Sequence, residues 1–135
     1  MAARSKARKR ALDLIYASEM RHRSAVDALA EQTADGTAHN EYTVQLVEGI
    51  TEHMARLDEV IASYAKGWTL SRMPAVDRNV LRLATYEVLY VDDVPDAVAV
   101  SEALKLVREL STDESPAFVN GVLGNIVRDR SSLIA

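Results

Sequence analysis

Apolar residues recur at the spacing of an α-helix along most of this chain, and no segment sustains a two-residue alternation of apolar and polar positions. The expected helices cover residues 3–21, 26–34, 41–66, 75–91, 97–110 and 116–130. The 41–66 pattern fits either one long helix or two helices with a bend near His53. Ser24 is a candidate N-cap for the second helix. The periodicity therefore predicts an all-α fold.

The pattern of residues 75–91 contains one acidic residue that does not fit its face. Its polar arc consists of Arg78, Asn79, Arg82 and Thr85, opposite an apolar arc that faces inward. Glu87 falls in the middle of the apolar arc, so we expect it to be buried and to have a partner. A structural role for Glu87 is favoured over a catalytic one.

Size and composition indicate a soluble globular protein. A chain of 135 residues with 48% hydrophobic and 27% charged residues fits one domain, here residues 1–135. The absence of cysteine excludes disulfides and thiolate metal sites. No uncharged run approaches the roughly 20 residues needed to span a bilayer. We therefore expect a cytoplasmic protein with no membrane association.

Charge is distributed unevenly along the sequence. Residues 1–23 hold seven Lys or Arg and two Asp or Glu, a net charge of +5, and the remainder carries −9. The cations include five within seven positions: Arg4, Lys6, Arg8, Lys9 and Arg10. A basic arm on an acidic body predicts an anionic partner for the arm and favours a basic partner for the body.

Two aromatic residues are candidates for nucleic-acid contact. Tyr16 lies two helical turns after Lys9, so a base could stack on its ring while Lys9 meets a phosphate. Phe118, the only phenylalanine, lies in the first turn of the last helix, where unpaired backbone N–H groups attract anions. The alternatives are a solvated charge run with Tyr16 as a boundary residue, and Phe118 as a core anchor. The residues alone do not decide between RNA contact and the structural alternative for either Tyr16 or Phe118.

Enzyme chemistry finds no support in the sequence. His22, His39 and His53 lack the i, i+4 spacing of a helical metal pair. We interpret Asp113 and Glu114 as residues that favour the following helix N-terminus rather than as a paired-carboxylate site. Residues 121–124 match a GXXG pattern inside a helix, which we interpret as close helix packing. We expect no catalysis, metal or cofactor.

Three blocks of the sequence resemble the NusB family. They are ARKRALDLIYASEM, MPAVDRNVLRLATYEVLYVDDVPDAVAVSEALKLVREL and STDESPAFVNGVLGNI, in the family's order over nearly the whole chain. The resemblance implies an all-α bundle of about six or seven helices in two small fused subdomains. It also implies an antitermination factor, not an enzyme. Such a factor binds single-stranded boxA RNA of ribosomal RNA leaders together with a NusE-type ribosomal protein and acts on the RNA polymerase elongation complex indirectly.

The resemblance also assigns roles to residues. Arg4, Lys6, Arg8, Lys9 and Arg10 match the RNA-contacting arm, and Tyr16 and Phe118 match aromatic positions of the RNA-binding surface. The family also has acidic positions near the edge of the surface that meets RNA and the protein partner, and these match Asp77, Asp113 and Glu114. Ala117 departs from the family, which often has a basic or polar residue there, so a phosphate contact would be missing. Monomeric and homodimeric states both fit.

Two other interpretations remain. One is the related helical RNA-binding module that precedes the catalytic domain in some ribosomal RNA methyltransferases, although these 135 residues leave no room for that catalytic domain. The other is a helical scaffold whose basic arm only increases solubility. RNA affinity separates them, because RNA binding through the arm should weaken steeply with salt. Arg8 and Lys9 should each contribute about one unit to the slope of log affinity against log salt concentration.

Overall fold

The computed structural model describes residues 2–134, which are helical throughout apart from turns and loops. The elements are α1 (Ala2–Met20), α2 (Ala25–Ala34), α3 (Glu41–Glu52), α4 (Met54–Tyr64), a 3-10 helix (Leu70–Arg72), α5 (Ala75–Tyr90), α6 (Asp96–Leu110), α7 (Ser115–Arg128) and α8 (Arg130–Ile134). The predicted all-α class is confirmed. Eight helices exceed the expected six or seven because residues 41–66 form two helices and the short α8 follows α7.

The chain divides after His53 into two compact units, in agreement with the two expected subdomains. His53 is the turn residue between α3 and α4, so the 41–66 pattern is two helices. Side-chain caps begin α2 and α3. Ser24 Oγ accepts from Asp27 N at 3.3 Å, as predicted, and Asn40 Oδ1 accepts from Tyr42 N at 2.8 Å.

The first unit packs α1, α2 and α3 against one another. The small-residue and apolar arc predicted for α1 is buried: Ala7, Ala11, Leu12, Leu14, Ile15 and Ser18. It meets buried side chains of α2 and α3: Ala25, Leu29, Tyr42, Leu46, Val47 and Ile50. Because alanines dominate the start of this arc, α1 approaches α3 closely at its basic end.

The second unit is built around α5, which contacts α4, α6, α7 and α8. Glu87 is fully buried, as predicted. The expected polar arc is wrong as a solvent-facing surface, because Asn79 and Thr85 are fully buried and Arg82 is only 9% exposed. Neighbouring helices surround α5, and Arg82 and Asn79 make their hydrogen bonds inside the unit.

Arg82 is the centre of one such group. Its Nε and Nη2 donate to Oδ1 and Oδ2 of Asp58 in α4 at 2.7 and 3.0 Å, a bidentate pair. Its Nη1 donates to Asn79 Oδ1 at 3.0 Å, and Asn79 Nδ2 donates to Ala75 O at 2.9 Å. The guanidinium thereby ties α5 to α4.

A second polar group lies at the end of α7. Tyr64 Oη donates to Asp129 Oδ2 at 2.7 Å, and Arg128 Nε donates to Asp129 Oδ1 at 3.1 Å. The hydrogen bonds from Arg128 and then from Tyr64 lower the pKa of Asp129 below its usual value. The hydrogen bond to the Asp129 carboxylate raises the pKa of Tyr64. Both shifts favour a charged Asp129 beside a neutral Tyr64.

This arrangement predicts a loss of stability in acid. A carboxyl group whose pKa is lower in the folded chain stabilises the fold above its unfolded pKa, and the contribution disappears as pH falls through the folded pKa. Asp129→Asn should therefore lower the free energy of unfolding at pH 7, and the difference from the unaltered chain should shrink below about pH 3.9. Urea unfolding over a pH series measures it. A difference independent of pH would contradict the assigned charge.

Candidate nucleic-acid interface

Residues 4–10 of α1, which we call the basic segment, place their five cations in different environments. Lys6, Lys9 and Arg10 are exposed, and Arg4 is half-buried. Arg8 is only 2% exposed. An exposed cation can meet a phosphate directly, whereas a buried one can do so only if the packing opens. The surface that this segment offers to an anion therefore consists mainly of three cations rather than five.

The Tyr42 ring of α3 lies beneath two of these cations. Its centroid is 4.4 Å from Cζ of Arg4 and 5.6 Å from Cζ of Arg8. Such cation–π contacts contribute about 0.5–2 kcal/mol each, with the larger values for desolvated cations. Thr43, the next residue of α3, donates from Oγ1 to Ala7 O at 3.1 Å. The start of α3 is thus attached to the basic segment at three points.

A cavity of about 490 Å³ lies beside the basic segment. Its polar lining consists of Lys6, Arg10, His39, Asn40 and Thr43, and no carboxylate among residues 2–134 lines it. Arg10 Nη2 donates to Gln32 Oε1 at 3.0 Å, and this hydrogen bond orients the Arg10 side chain. The charge of this cavity favours an anion over a cation.

Tyr16 lies further along α1 with 38% of its surface exposed. It lies seven positions after Lys9, so the two share a helical face. The structure therefore places an exposed ring and an exposed ammonium on one side of α1, as the sequence predicts. The stacking role of Tyr16 stays a prediction.

The second unit carries a different surface, which we call the aromatic cleft. It is a cavity of about 330 Å³ lined by Trp68, Pro74, Asp77, Thr112, Glu114, Ser115 and Phe118. The Trp68 and Phe118 rings contact each other, with centroids 5.9 Å apart and planes tilted by 55°. Trp68 is 51% exposed and Phe118 is half-buried. The cleft combines an accessible aromatic wall with carboxylates and hydroxyls.

Asp77 forms the buried side of the aromatic cleft. It is 2% exposed and accepts hydrogen bonds from Ser111 Oγ at 2.6 Å and from Ser115 Oγ at 2.9 Å. Ser115 Oγ also accepts from Thr112 N at 3.2 Å. Asp77 lies in the first turn of α5, where a negative charge is favourable. These bonds join the start of α5 to the turn before α7.

The structure brings some predicted site residues together. Phe118, Asp77 and Glu114 line one cleft, while Asp113 is exposed in the turn before α7 and does not line it. Trp68 was missed. The signal available was weak: the only tryptophan of the chain, in a polar segment directly after Gly67. An aromatic side chain in a loop without apolar neighbours is a candidate for binding.

The close packing predicted for the GXXG pattern is wrong, because a Cβ at Gly121 or Gly124 would meet no atom within 4 Å. Within residues 2–134, no group of three or more His, Cys, Asp or Glu side chains is arranged to hold a metal ion. No helix in the described part of the chain is long and apolar enough to cross a membrane.

These features define a class: a small all-α protein with a basic surface in one unit and an aromatic cleft in the other. The chain belongs to the NusB family, whose model matches residues 5–128. It is 63% identical over 134 residues to the transcription antitermination protein NusB of Nocardioides sp. strain JS614, covering 98% of this chain and 99% of that relative.

Solved structures show the same fold. T. maritima NusB superposes with a TM-score of 0.84 at 32% identity, covering 93% of this chain and 91% of that one. A crystal structure of the antitermination factors NusB and NusE in complex with dsRNA contains a chain that superposes with a TM-score of 0.82 at 24% identity, covering 95% of this chain and 98% of that one. The two-unit helical architecture is therefore that of the NusB family.

Proposed function

We propose that this chain is a transcription antitermination factor that binds the boxA element of nascent ribosomal RNA together with a NusE-type ribosomal protein. The observation that carries the proposal is the 63% identity, over nearly the full length of both chains, to a transcription antitermination protein. In this proposal the chain acts in the cytoplasm, affects the elongating polymerase indirectly and catalyses no reaction.

The proposed phosphate contacts come from the basic segment. Lys6, Lys9 and Arg10 are exposed, and the adjoining cavity has cationic and polar walls. Phosphate contacts of this kind supply affinity and position the RNA but do not distinguish sequences. Arg4 is half-buried over Tyr42 and belongs to the edge of this surface. A preference for boxA therefore requires a second surface that contacts the bases, which we call the base-reading surface.

The aromatic cleft is the proposed base-reading surface. Single-stranded RNA is recognised by stacking unpaired bases on aromatic rings and by hydrogen bonds to their edges. Trp68 and Phe118 supply the rings. Thr112, which is exposed, adds a hydroxyl at the same cleft. This combination supports recognition of an unstacked base.

The proposed protein partner meets the acidic surface. The chain outside residues 1–23 has a net charge of −9, which complements a basic ribosomal protein. Asp113 and Glu114 are exposed and available to such a partner, whereas Asp77 is 2% exposed and supports the turn that carries them. We therefore assign direct partner contact to Asp113 and Glu114 and a supporting role to Asp77.

A transcription assay tests this function directly. The template carries a boxA-containing leader ahead of a terminator, and read-through is measured with and without the chain and a NusE-type protein. We expect read-through to rise only when both proteins are present and boxA is intact. Unchanged read-through under that condition would contradict the proposal.

Removing the cleft rings should reduce sequence preference. Stacking contributes about 1–3 kcal/mol per base, so Phe118→Leu or Trp68→Leu should weaken boxA binding by roughly 5- to 150-fold. Binding to a scrambled RNA should change far less. Tyr90→Leu is the matched control, because Tyr90 is an exposed ring of the same unit stacked on Tyr86.

The same variants separate stacking from a core-anchor role for Phe118. Half-burial and contact with Trp68 are compatible with both. If Phe118→Leu lowers the unfolding temperature and leaves the preference for boxA intact, Phe118 is a core anchor and the proposed base contact is wrong.

A further inference from the structure

Arg8 differs from its neighbours in the basic segment because its side chain is inside the first unit. It is 2% exposed, while Lys9 and Arg10, the next two residues, are exposed. A guanidinium in this position cannot reach a phosphate unless the packing around it opens. Burial of an arginine is rare unless the charge is compensated by specific contacts. Arg8 therefore has a role that its sequence position alone does not indicate.

The contacts of Arg8 point to the start of α3. Its Cζ lies 5.6 Å from the centroid of the buried Tyr42 ring, and Arg4, one turn earlier, stacks 4.4 Å from the same ring. A planar guanidinium stacks on an aromatic face better than an ammonium does. The Thr43 hydroxyl adds its hydrogen bond to Ala7 O, the residue before Arg8. We call Arg4, Arg8, Tyr42 and Thr43 the tyrosine clamp.

We propose that Arg8 is a positioning residue, which holds the basic segment against α3 so that Lys6, Lys9 and Arg10 face the RNA in a fixed arrangement. The inference rests on the proposed RNA-binding function. A surface that is ordered before binding loses less conformational entropy when the RNA binds. Arg8 thus strengthens binding without contacting a phosphate, which replaces the expectation that it contributes to the salt dependence.

Salt dependence distinguishes this role from phosphate contact. Each phosphate contact with single-stranded RNA contributes about 0.7 to the slope of log affinity against log salt. Lys9→Met should therefore reduce that slope by about 0.7. Arg8→Met removes the same charge, but we expect about fivefold weaker binding with an unchanged slope, the effect of losing roughly one ordered side chain. Arg8→Lys keeps the charge and should recover only part of the affinity.

Tyr42 provides an independent variant that changes no charge. Tyr42→Leu removes the ring under both Arg4 and Arg8, so it should weaken RNA binding at least as much as Arg8→Met, again without a change of slope. The double variant should bind no more weakly than Tyr42→Leu alone, because that substitution already removes the ring that Arg8 contacts. Ile50→Val is the matched control: Ile50 is a fully buried residue of α3 outside the clamp, so its loss of a methylene destabilises the unit without affecting RNA binding.

The experiment is RNA titration of the full chain at several salt concentrations, at a temperature where all variants are folded. Amide hydrogen exchange of residues 5–11 is measured on the same samples and should accelerate in Arg8→Met and Tyr42→Leu. A slope reduced equally by Arg8→Met and Lys9→Met would overturn the inference and leave the RNA-binding function standing. Unchanged affinity in Tyr42→Leu would also overturn it. No RNA binding by the unaltered chain would overturn both.

Discussion

Replacing Lys6, Lys9 and Arg10 together by glutamine is expected to weaken RNA binding roughly 100-fold at about 0.15 M salt. These are the three exposed cations of the basic segment. Because each phosphate contact releases counterions, the slope of log affinity against log salt should fall by about two. The loss should be similar for boxA and scrambled RNA, since phosphate contacts carry no sequence information. Titrations over a salt series measure both quantities.

A second triple variant controls for the change in total charge. Arg56, Lys105 and Arg108 are exposed cations of the second unit, and their replacement by glutamine also removes three positive charges. We expect this variant to bind RNA within about threefold of the unaltered chain, because none of the three cations belongs to the basic segment or lines the aromatic cleft. Equal losses in the two triple variants would show that only net charge matters and would contradict a localised site.

Arg82→Ala is expected to have the largest effect on stability, a loss of about 3 kcal/mol in the free energy of unfolding. The substitution leaves the Asp58 carboxylate without its bidentate donor and removes the donor to Asn79 Oδ1. Leaving one charge of a largely buried pair without its partner is far more destabilising than removing an exposed pair. Urea unfolding followed by circular dichroism measures the loss.

The control for Arg82 is an exposed ion pair in the same unit. Arg56 Nη1 lies 2.6 Å from Glu59 Oε1 one helical turn away, with 41% and 70% of the two side chains exposed. Arg56→Ala should change the free energy of unfolding by less than about 1 kcal/mol. Comparable losses in Arg82→Ala and Arg56→Ala would contradict the structural role assigned to Arg82.

Helix positions were predictable because they depend on local signals. Ser24 caps α2 as expected, and the predicted inward arc of α1 is buried, because spacing and capping act within a few residues. The burial of the polar residues of α5 was not predictable in the same way. Arg82 is buried because Asp58 lies beside it, and the two are 24 positions apart in the sequence.

In the candidate site, too, residue types were predictable from the sequence and burial was not. The sequence indicates the charge of the basic segment and the aromatic character of Phe118, but not which cations are exposed. Arg8 is buried because Tyr42, 34 positions later, lies against it. Likewise, Trp68 and Phe118 are 50 positions apart and form one cleft only in the folded chain. Burial and pairing at this range follow from tertiary packing rather than from residue type.

The most direct test of the account is an RNA titration that compares a boxA-like single strand with a scrambled one, each with and without a NusE-type protein. We expect tight binding that prefers boxA and becomes tighter when the partner is present. Equal and weak binding of both RNAs in either condition would contradict the account, and the chain would then share the NusB fold while serving another function.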